Sequence, residues 1–224
     1  MQVKFSHREH ETEEIISFYF EKPTGFRYTA GQFIEMTLPH SNPDERGIKH
    51  WFTLSTAPSD TLLSITTKQA PEHGSSFKRT LWQHKPGDLI TLSNPMGDFV
   101  LPKDASIPLV FVAGGIGVTP FHSIIRELTN TKERRTIQLL YLAKTESELV
   151  FRELFENYGL EFIAVVGEKL NAKKIEIMAG GLLDKLIYLA GPEPMIETFV
   201  EQFKELSVKK DQLVTDYFPG YSAF

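Results

Sequence analysis

The sequence predicts a two-domain protein: an N-terminal six-stranded antiparallel β-barrel over residues 1–103 and a C-terminal α/β domain with a parallel sheet over residues 104–224. Three observations predict this. Short β-branched and aromatic runs, broken by turn residues, fill the first hundred positions. Longer apolar runs alternate with amphipathic stretches through the rest, and the texture changes at Pro102-Lys103-Asp104. Short, evenly spaced strands suit an antiparallel barrel. Nearly continuous apolar strands separated by helices suit a parallel sheet covered on both faces.

In the first half the expected strands are Ile15–Phe20, Phe33–Leu38, Trp51–Leu54, Leu62–Thr67, Leu89–Leu92 and Phe99–Leu101. Turn signals separate them, among them Pro23-Thr24-Gly25, Ser41-Asn42-Pro43, Pro86-Gly87-Asp88 and Asn94-Pro95-Met96-Gly97. One helix is expected at Ser75–His84 with a serine N-cap. In the second half the expected strands are Leu109–Ala113, Ile137–Ala143, Phe162–Val166, Leu186–Ala190 and Leu213–Thr215. The helical patterns between them are Phe121–Leu128, Glu148–Tyr158 and Met195–Leu206.

Composition narrows the chemistry. The chain has 224 residues, a formal net charge of −5, 41% hydrophobic and 24% charged residues, and no cysteine. Disulfides, thiolate-held iron–sulfur clusters and thiol nucleophiles are excluded, so redox chemistry needs an organic cofactor or another metal set. The mild acidity lacks the basic stripe of a nucleic-acid binder. No apolar run approaches the ~20 residues that span a bilayer, and the polar first residues do not read as a secretory signal. The expectation is a cytoplasmic monomer without a transmembrane segment. The seven histidines show no HxxxH or HxH pattern, so no metal is expected.

The segment Pro108–Pro120 runs from a buried strand through a glycine turn into a helix. Thr119 is read as the N-cap and Pro120 as the first helical residue. Gly114, Gly115 and Gly117 allow a sharp turn and close approach of a ligand. The helix N-terminus then offers free N–H groups and partial positive charge to a pyrophosphate. The spacing departs from GxGxxG, since Pro120 holds the third glycine position, and an ordinary βα turn has the same texture. Gly191-Pro192 opens a second strand into a helix that carries Met195. In a parallel sheet both turns lie at carboxyl strand ends, where ligands bind.

Three more segments stand out. His50-Trp51-Phe52-Thr53 reads as a barrel strand, or as an aromatic and hydroxyl platform for a flat heterocycle. Gly74-Ser75-Ser76 opens the barrel helix and suits a phosphate as well as a plain cap. The C-terminal Tyr217, Phe218, Tyr221 and Phe224 are too apolar to leave in water.

Taken in order, these segments resemble the ferredoxin–NADP reductase superfamily, in which a flavin-binding barrel precedes a nicotinamide-dinucleotide domain. The resemblance covers nearly the whole chain. His50-Trp51-Phe52-Thr53 is similar to the family's Arg-x-Tyr-Ser/Thr. By that resemblance Phe52 and Thr53 contact the isoalloxazine, and His50 stands where an arginine pairs with the flavin pyrophosphate. A neutral histidine donates one hydrogen bond where arginine offers a bidentate fork. Gly74-Ser75-Ser76 resembles the second phosphate loop. Gly114-Gly115-x-Gly117-x-Thr119-Pro120 resembles the nucleotide loop. Gly191-Pro192-x-x-Met195 resembles the Cys-Gly-Pro motif, with Ala190 for cysteine. Asp216-x-Phe218 resembles the C-terminal Glu-x-aromatic.

The resemblance thus implies Thr53, Thr119, Asp216 and Phe218 as catalytic. It adds Trp51, Ile65, Thr66, Thr67 and Tyr221 to the cofactor-binding set. The implied cofactor is FAD, with NADPH or NADH as co-substrate. Lys144, ending the second strand of the α/β half, is a candidate for a 2′-phosphate, and no acid is seen there for a ribose hydroxyl. The implied activity is NAD(P)H-dependent reduction of the flavin and delivery of electrons to an external acceptor. A reductase of free flavin and a non-catalytic redox-sensing or subunit module are the alternatives.

Overall fold

Alternation of apolar and polar residues builds the first sheet. In the computed structural model, which describes residues 1–68 and 74–218, six antiparallel strands form it. They are β1 (Gln2–His10), β2 (Ile15–Glu21), β3 (Phe33–Thr37), β4 (Lys49–Thr53), β5 (Leu62–Lys68) and β6 (Leu89–Leu92), in the order β4-β3-β6-β1-β2-β5. The two edges curl together, and just past the end of β4 Ser55 N donates to Ser64 O at 2.8 Å. The interior is filled by Val3, Phe5, Phe18, Phe20, Ile34, Met36, Ile65, Ile90 and Leu92. Helix α1 (Ser76–Gln83) closes it with buried Phe77 and Leu81. Each fully buried side chain of this size contributes roughly 1.5–3 kcal/mol.

The strand count agrees with expectation, but its membership differs. Phe99–Leu101 forms no strand. Phe99 turns inward to meet Tyr188 edge-on (5.2 Å, 88°) and Phe121 (5.5 Å), while Val100 O accepts from the Tyr188 hydroxyl. The segment is spent on joining the two halves. The sixth strand is β1, where Val3 and Phe5 are the only deeply buried residues; such a strand reads as polar.

The second sheet is wholly parallel. Its strands are β7 (Leu109–Gly114), β8 (Ile137–Ala143), β9 (Glu161–Val166), β10 (Leu186–Pro192) and β11 (Leu213–Phe218), in the order β11-β10-β7-β8-β9. Successive residues of β7 go to opposite faces. Leu109, Phe111 and Ala113 face α2 (Thr119–Thr131) and α3 (Arg152–Tyr158). Val110 and Val112 face α4 (Ala172–Met178) and α5 (Glu193–Glu205). This double burial explains the unbroken apolar runs. The short α4, capped by Asn171 accepting from Lys174 N, was not anticipated. Its seven residues are too few for a periodic pattern.

The strand order reverses between β7 and β10, so the carboxyl ends of these two strands form the switch point of the sheet. No helix among the described residues is long and apolar enough to cross a membrane.

Candidate active site

Both glycine turns lie at this switch point. Beyond β7, Gly114 leads into a 3₁₀ turn, Gly115–Val118, that runs directly into α2. Thr119 is therefore not the N-cap. The 3₁₀ turn already supplies helical backbone upstream, so Thr119 is the first residue of α2, Pro120 the second, and Val118 the uncharged cap residue. The Thr119 hydroxyl donates back to Ile116 O at 3.2 Å.

A Cβ on Gly117 would lie 2.3 Å from Ala190 O and 2.6 Å from Gly191 Cα. A Cβ on Gly191 would lie 2.6 Å from Met195 Cε and 3.1 Å from Gly114 Cα. The turns are thus packed backbone against backbone, and Gly117 is needed for that contact. A side chain there meets β10 whether or not a ligand is bound. Pro192 ends β10, and Met195 is buried in the first turn of α5.

Across the sheet, Ala113 pairs with Ala190 and Ala190 with Asp216. Asp216 thereby stands on β11 level with the glycine turns. Its Oδ2 lies 3.4 Å from the donating Thr53 hydroxyl at the end of β4. Residues 163 positions apart are joined here, one from each sheet. Burial, aided by the charge of Asp98, pushes the Asp216 carboxyl up to about 7, and the Thr53 bond opposes that shift. Phe218, paired with Pro192, packs on the core that contains Ile116 and Val118. Tyr217 is 46% exposed. Tyr221 and Phe224 lie outside the described residues.

Strand β4 presents its residues alternately. Trp51 is 63% exposed, and Thr53 on the same face is buried. His50 and Phe52 face the other way and pack on Phe77, with ring centroids 4.3 and 5.8 Å away. His50 Nε2 is buried without a hydrogen-bond partner among the described residues, as are the hydroxyls of Ser55 and Thr67. Burial, with the charges of Lys78 and Arg46, holds His50 below the usual histidine range. Ile65 belongs to the core, and Thr66 Oγ1 is bonded to Ser17 Oγ at 2.8 Å. Among the implied β5 residues, only Thr67 offers an unengaged side-chain polar atom.

Helix α1 starts as expected, with Ser75 Oγ accepting from Lys78 N at 3.1 Å. Gly74 O accepts from Arg79. Ser76 is already engaged. Its N–H donates to Asp44 Oδ2 at 2.7 Å, and its hydroxyl is bonded to Asp44 N and His40 Nε2. Asp44 also accepts from Arg46 Nη2 at 2.8 Å. The loop carrying Asp44 and Arg46 read only as a turn, because its partner lies 32 positions away.

The end of β8 itself carries no acid, but one from the following turn reaches it. Glu148 folds back so that its Oε2 accepts from Lys144 N at 3.0 Å, while Oε1 pairs with Lys68 Nζ at 2.6 Å. The acid is five residues beyond the strand end, returned there by a 3₁₀ turn, Glu146–Glu148. It is committed to Lys68, so it ties the end of β5 to the end of β8.

Residues 111–162 match the family model described as an oxidoreductase NAD-binding domain. By structure, the chain superposes on a ferredoxin NADP+ reductase from Neisseria gonorrhoeae with bound FAD and NADP. The TM-score is 0.81 at 17% identity, covering 99% of this chain and 98% of that one. The chain has the ferredoxin–NADP reductase fold. The same reductase fold recurs in the flavohem-like FAD/NAD-binding domain of a Vibrio cholerae nitric oxide dioxygenase, at TM-score 0.77 and 22% identity over 97% of this chain and 98% of that one. In sequence, the chain is 25% identical to the reductase component of propane 2-monooxygenase from Rhodococcus jostii, over 92% of this chain and 60% of that protein. It is also 25% identical to flavohemoprotein A of Dictyostelium discoideum, over 93% of this chain and 57% of that one. The chain thus spans about 60% of the length of the curated relatives it matches.

Proposed function

We propose that this chain is an FAD-dependent NAD(P)H oxidoreductase, taking hydride from nicotinamide onto the flavin and passing electrons to an external acceptor. The observation that supports it best is the meeting of two glycine turns at the switch point of one sheet with the Thr53–Asp216 pair that joins it to the other. On this reading, residues 1–103 form the flavin domain and 104–224 the nicotinamide domain.

The residues present fit such a cofactor. Three buried polar atoms without partners among the described residues, on His50, Ser55 and Thr67, lie on or beside the strands where the resemblance sets the flavin. Buried polar atoms are ordinarily bonded, so a ligand that supplies partners there is expected to bind well. A bound flavin supplies the hydride-accepting and electron-releasing chemistry that no side chain of this chain has.

The protein's own part is positioning and protonation. Backbone N–H groups of the Gly115–Val118 turn, at the head of α2, suit a dinucleotide pyrophosphate. Gly191 and Pro192 bound the other wall of the cleft. The Asp216 carboxyl, pushed up to about 7 by burial, is suited to take up and give back a proton and accepts a hydrogen bond from Thr53. Phe218 borders the same end of β10 and is a candidate cover for the flavin ring.

The external acceptor is a separate protein or small molecule. The reductase component of a propane monooxygenase and the reductase GcoB of a cytochrome P450 system, both similar to this chain, are named for such roles. The imidazole of His50, held below the usual histidine range and so adding no charge of its own, favours a second reading, in which free flavin binds weakly as a substrate. Denaturing the pure protein and identifying the released chromophore separates the two. FAD in near-stoichiometric amount, bleached on adding NADPH or NADH, supports the first. No flavin and no uptake of added FAD would sink it.

A further inference from the structure

The two edges of the parallel sheet are built differently. Strand β11, at one edge, carries Thr215 and Asp216 and is tied to the first sheet through Thr53. Strand β9, at the other, runs Glu161-Phe162-Ile163-Ala164-Val165-Val166, apolar throughout after its first residue. Among the described residues no strand lies on its outer side. Natural edge strands are blunted by lysine, proline, a bulge or a covering element. Residues 162–166 contain no lysine and no proline, and their register against β8 is unbroken. Phe162, Ile163, Ala164 and Val166 stay partly exposed, whereas every residue of β8 is buried. Helix α4 leaves a groove of about 380 Å³ beside this edge, lined by Ala164, Val166, Leu170, Ile177 and Met178. Ile177 is 69% exposed and Met178 40%.

We propose that β9 is the interface of a two-fold dimer, in which it pairs antiparallel with β9 of a second copy and joins the two parallel sheets into one. The ladder fixes the register. Gly167 N–H donates to Ala143 O at 2.9 Å, so the strand's alternation turns the N–H and C=O of Ile163 and Val165 towards β8. Those of Phe162, Ala164 and Val166 point outwards, where a strand can be added. A two-fold axis at Ala164 sets Ala164 against its own copy, whose small side chains permit close approach. It sets Phe162 against Val166 on one face and Ile163 against Val165 on the other. These are aromatic with β-branched and β-branched with β-branched, the pairs that stabilise sheets. Charge complements the same axis. Antiparallel pairing brings the amino end of one β9, with Glu161, to the carboxyl end of the other. That end is followed by Lys169 and bordered across the groove by Lys174, which together outnumber Glu168. Glu161 and Lys169 make no ion pair within the chain among the described residues. The second copy also brings its own α4 alongside, which covers Ile177 and Met178. The chain is then a dimer, where the sequence alone suggested a monomer.

The test is the mass of the purified full chain in sedimentation equilibrium, over a dilution series from about 1 to 100 μM that brackets a weak symmetric interface. The parent should reach twice the 25.5 kDa of one chain. Ala164→Pro removes an outward N–H and no bond to β8, the one setting in which a strand tolerates proline. It deletes a hydrogen bond from each copy, so the dimer should dissociate about tenfold more readily. Glu161→Lys, at an exposed position, should weaken the dimer roughly fivefold and melt like the parent. Adding Lys169→Glu to it should restore the parent's association, which a change in folding alone would not do. A parent that keeps the mass of one chain throughout the series overturns the proposal. So does a dimer whose dissociation constant is untouched by Ala164→Pro and Glu161→Lys, because its interface lies elsewhere. If Ala164→Pro melts early, Glu161→Lys and its charge swap decide, and an unweakened Glu161→Lys dimer overturns the proposal.

Discussion

Asp216 carries the clearest pH consequence at the scale of single residues. Its carboxyl is pushed up to about 7 in the fold, against an ordinary value of 3.8. Between those values the folded chain binds more protons than the unfolded one, so stability falls as pH rises through that window. The contribution is favourable near pH 4 and is lost by about pH 7. Asp216→Asn should flatten this slope, which urea titrations at pH 5 and pH 8 would measure. Thr53→Val removes a bond that favours the ionised form, so it should push the carboxyl higher still. A midpoint that moves down instead would show that Thr53 does not hold that oxygen. Gly117 makes a different prediction. A side chain there meets Ala190 O at 2.3 Å, so Gly117→Val should destabilise the fold by about 1–3 kcal/mol or more through overpacking. Loss of dinucleotide binding would follow from that displacement. Normal melting with only a raised Michaelis constant would contradict the packing role.

Individual elements show what could be read in advance and what could not. The strands from Ile15, Phe33, Leu62, Leu89, Leu109, Ile137 and Leu186 declare themselves through local pattern, because their burial is decided by neighbours two residues away. Helix α1 and its Ser75 cap are equally local. Ser75→Ala should cost about 1 kcal/mol, seen as a lower melting temperature with unchanged spectra. By contrast, β1 hides because only Val3 and Phe5 are deeply buried. Thr119 is misplaced because a 3₁₀ turn, invisible to periodicity, precedes it. The glycine turns and the Asp216 and Thr53 positions are legible as motifs. Their convergence is not, since it depends on contacts between strands far apart in the chain. Arg46, Asp44 and Glu148 escape for the same reason: each finds its role in a fold-back of a loop that carries no pattern of its own.

At the level of the whole molecule, α2 is the clasp between the sheets. His122 Nδ1 bonds Ser55 O at 2.7 Å, Ser123 donates to Thr56 O at 2.6 Å, and Arg126 pairs with Asp60 at 2.6 Å. Burial pushes His122 down to about 4, so it remains neutral and keeps its Nδ1–H for the carbonyl. The partly buried Lys68–Glu148 pair adds a second tie. Breaking one partner of such a pair leaves an uncompensated charge. Lys68→Met should therefore cost about 1–3 kcal/mol, while the exposed Arg126→Gln should cost less than about 1 kcal/mol. If the two sheets melt separately in calorimetry, the clasp is weaker than its contacts imply.

The link between Thr53 and Asp216 also has a consequence for biosynthesis. The first sheet is built entirely from residues 2–92, and nascent domains generally fold in the order they emerge from the ribosome. Thr53 is in place long before Asp216, 163 positions later, has been translated. Strand β11 docks beside β10 only after every other strand of its sheet has been made. A chain arrested after residue 210 would carry a folded first sheet and both glycine turns, yet lack the carboxyl that joins them. Translation thus imposes its own order: the protonatable pair comes into being only on a molecule in which the other strands of both sheets have already been made.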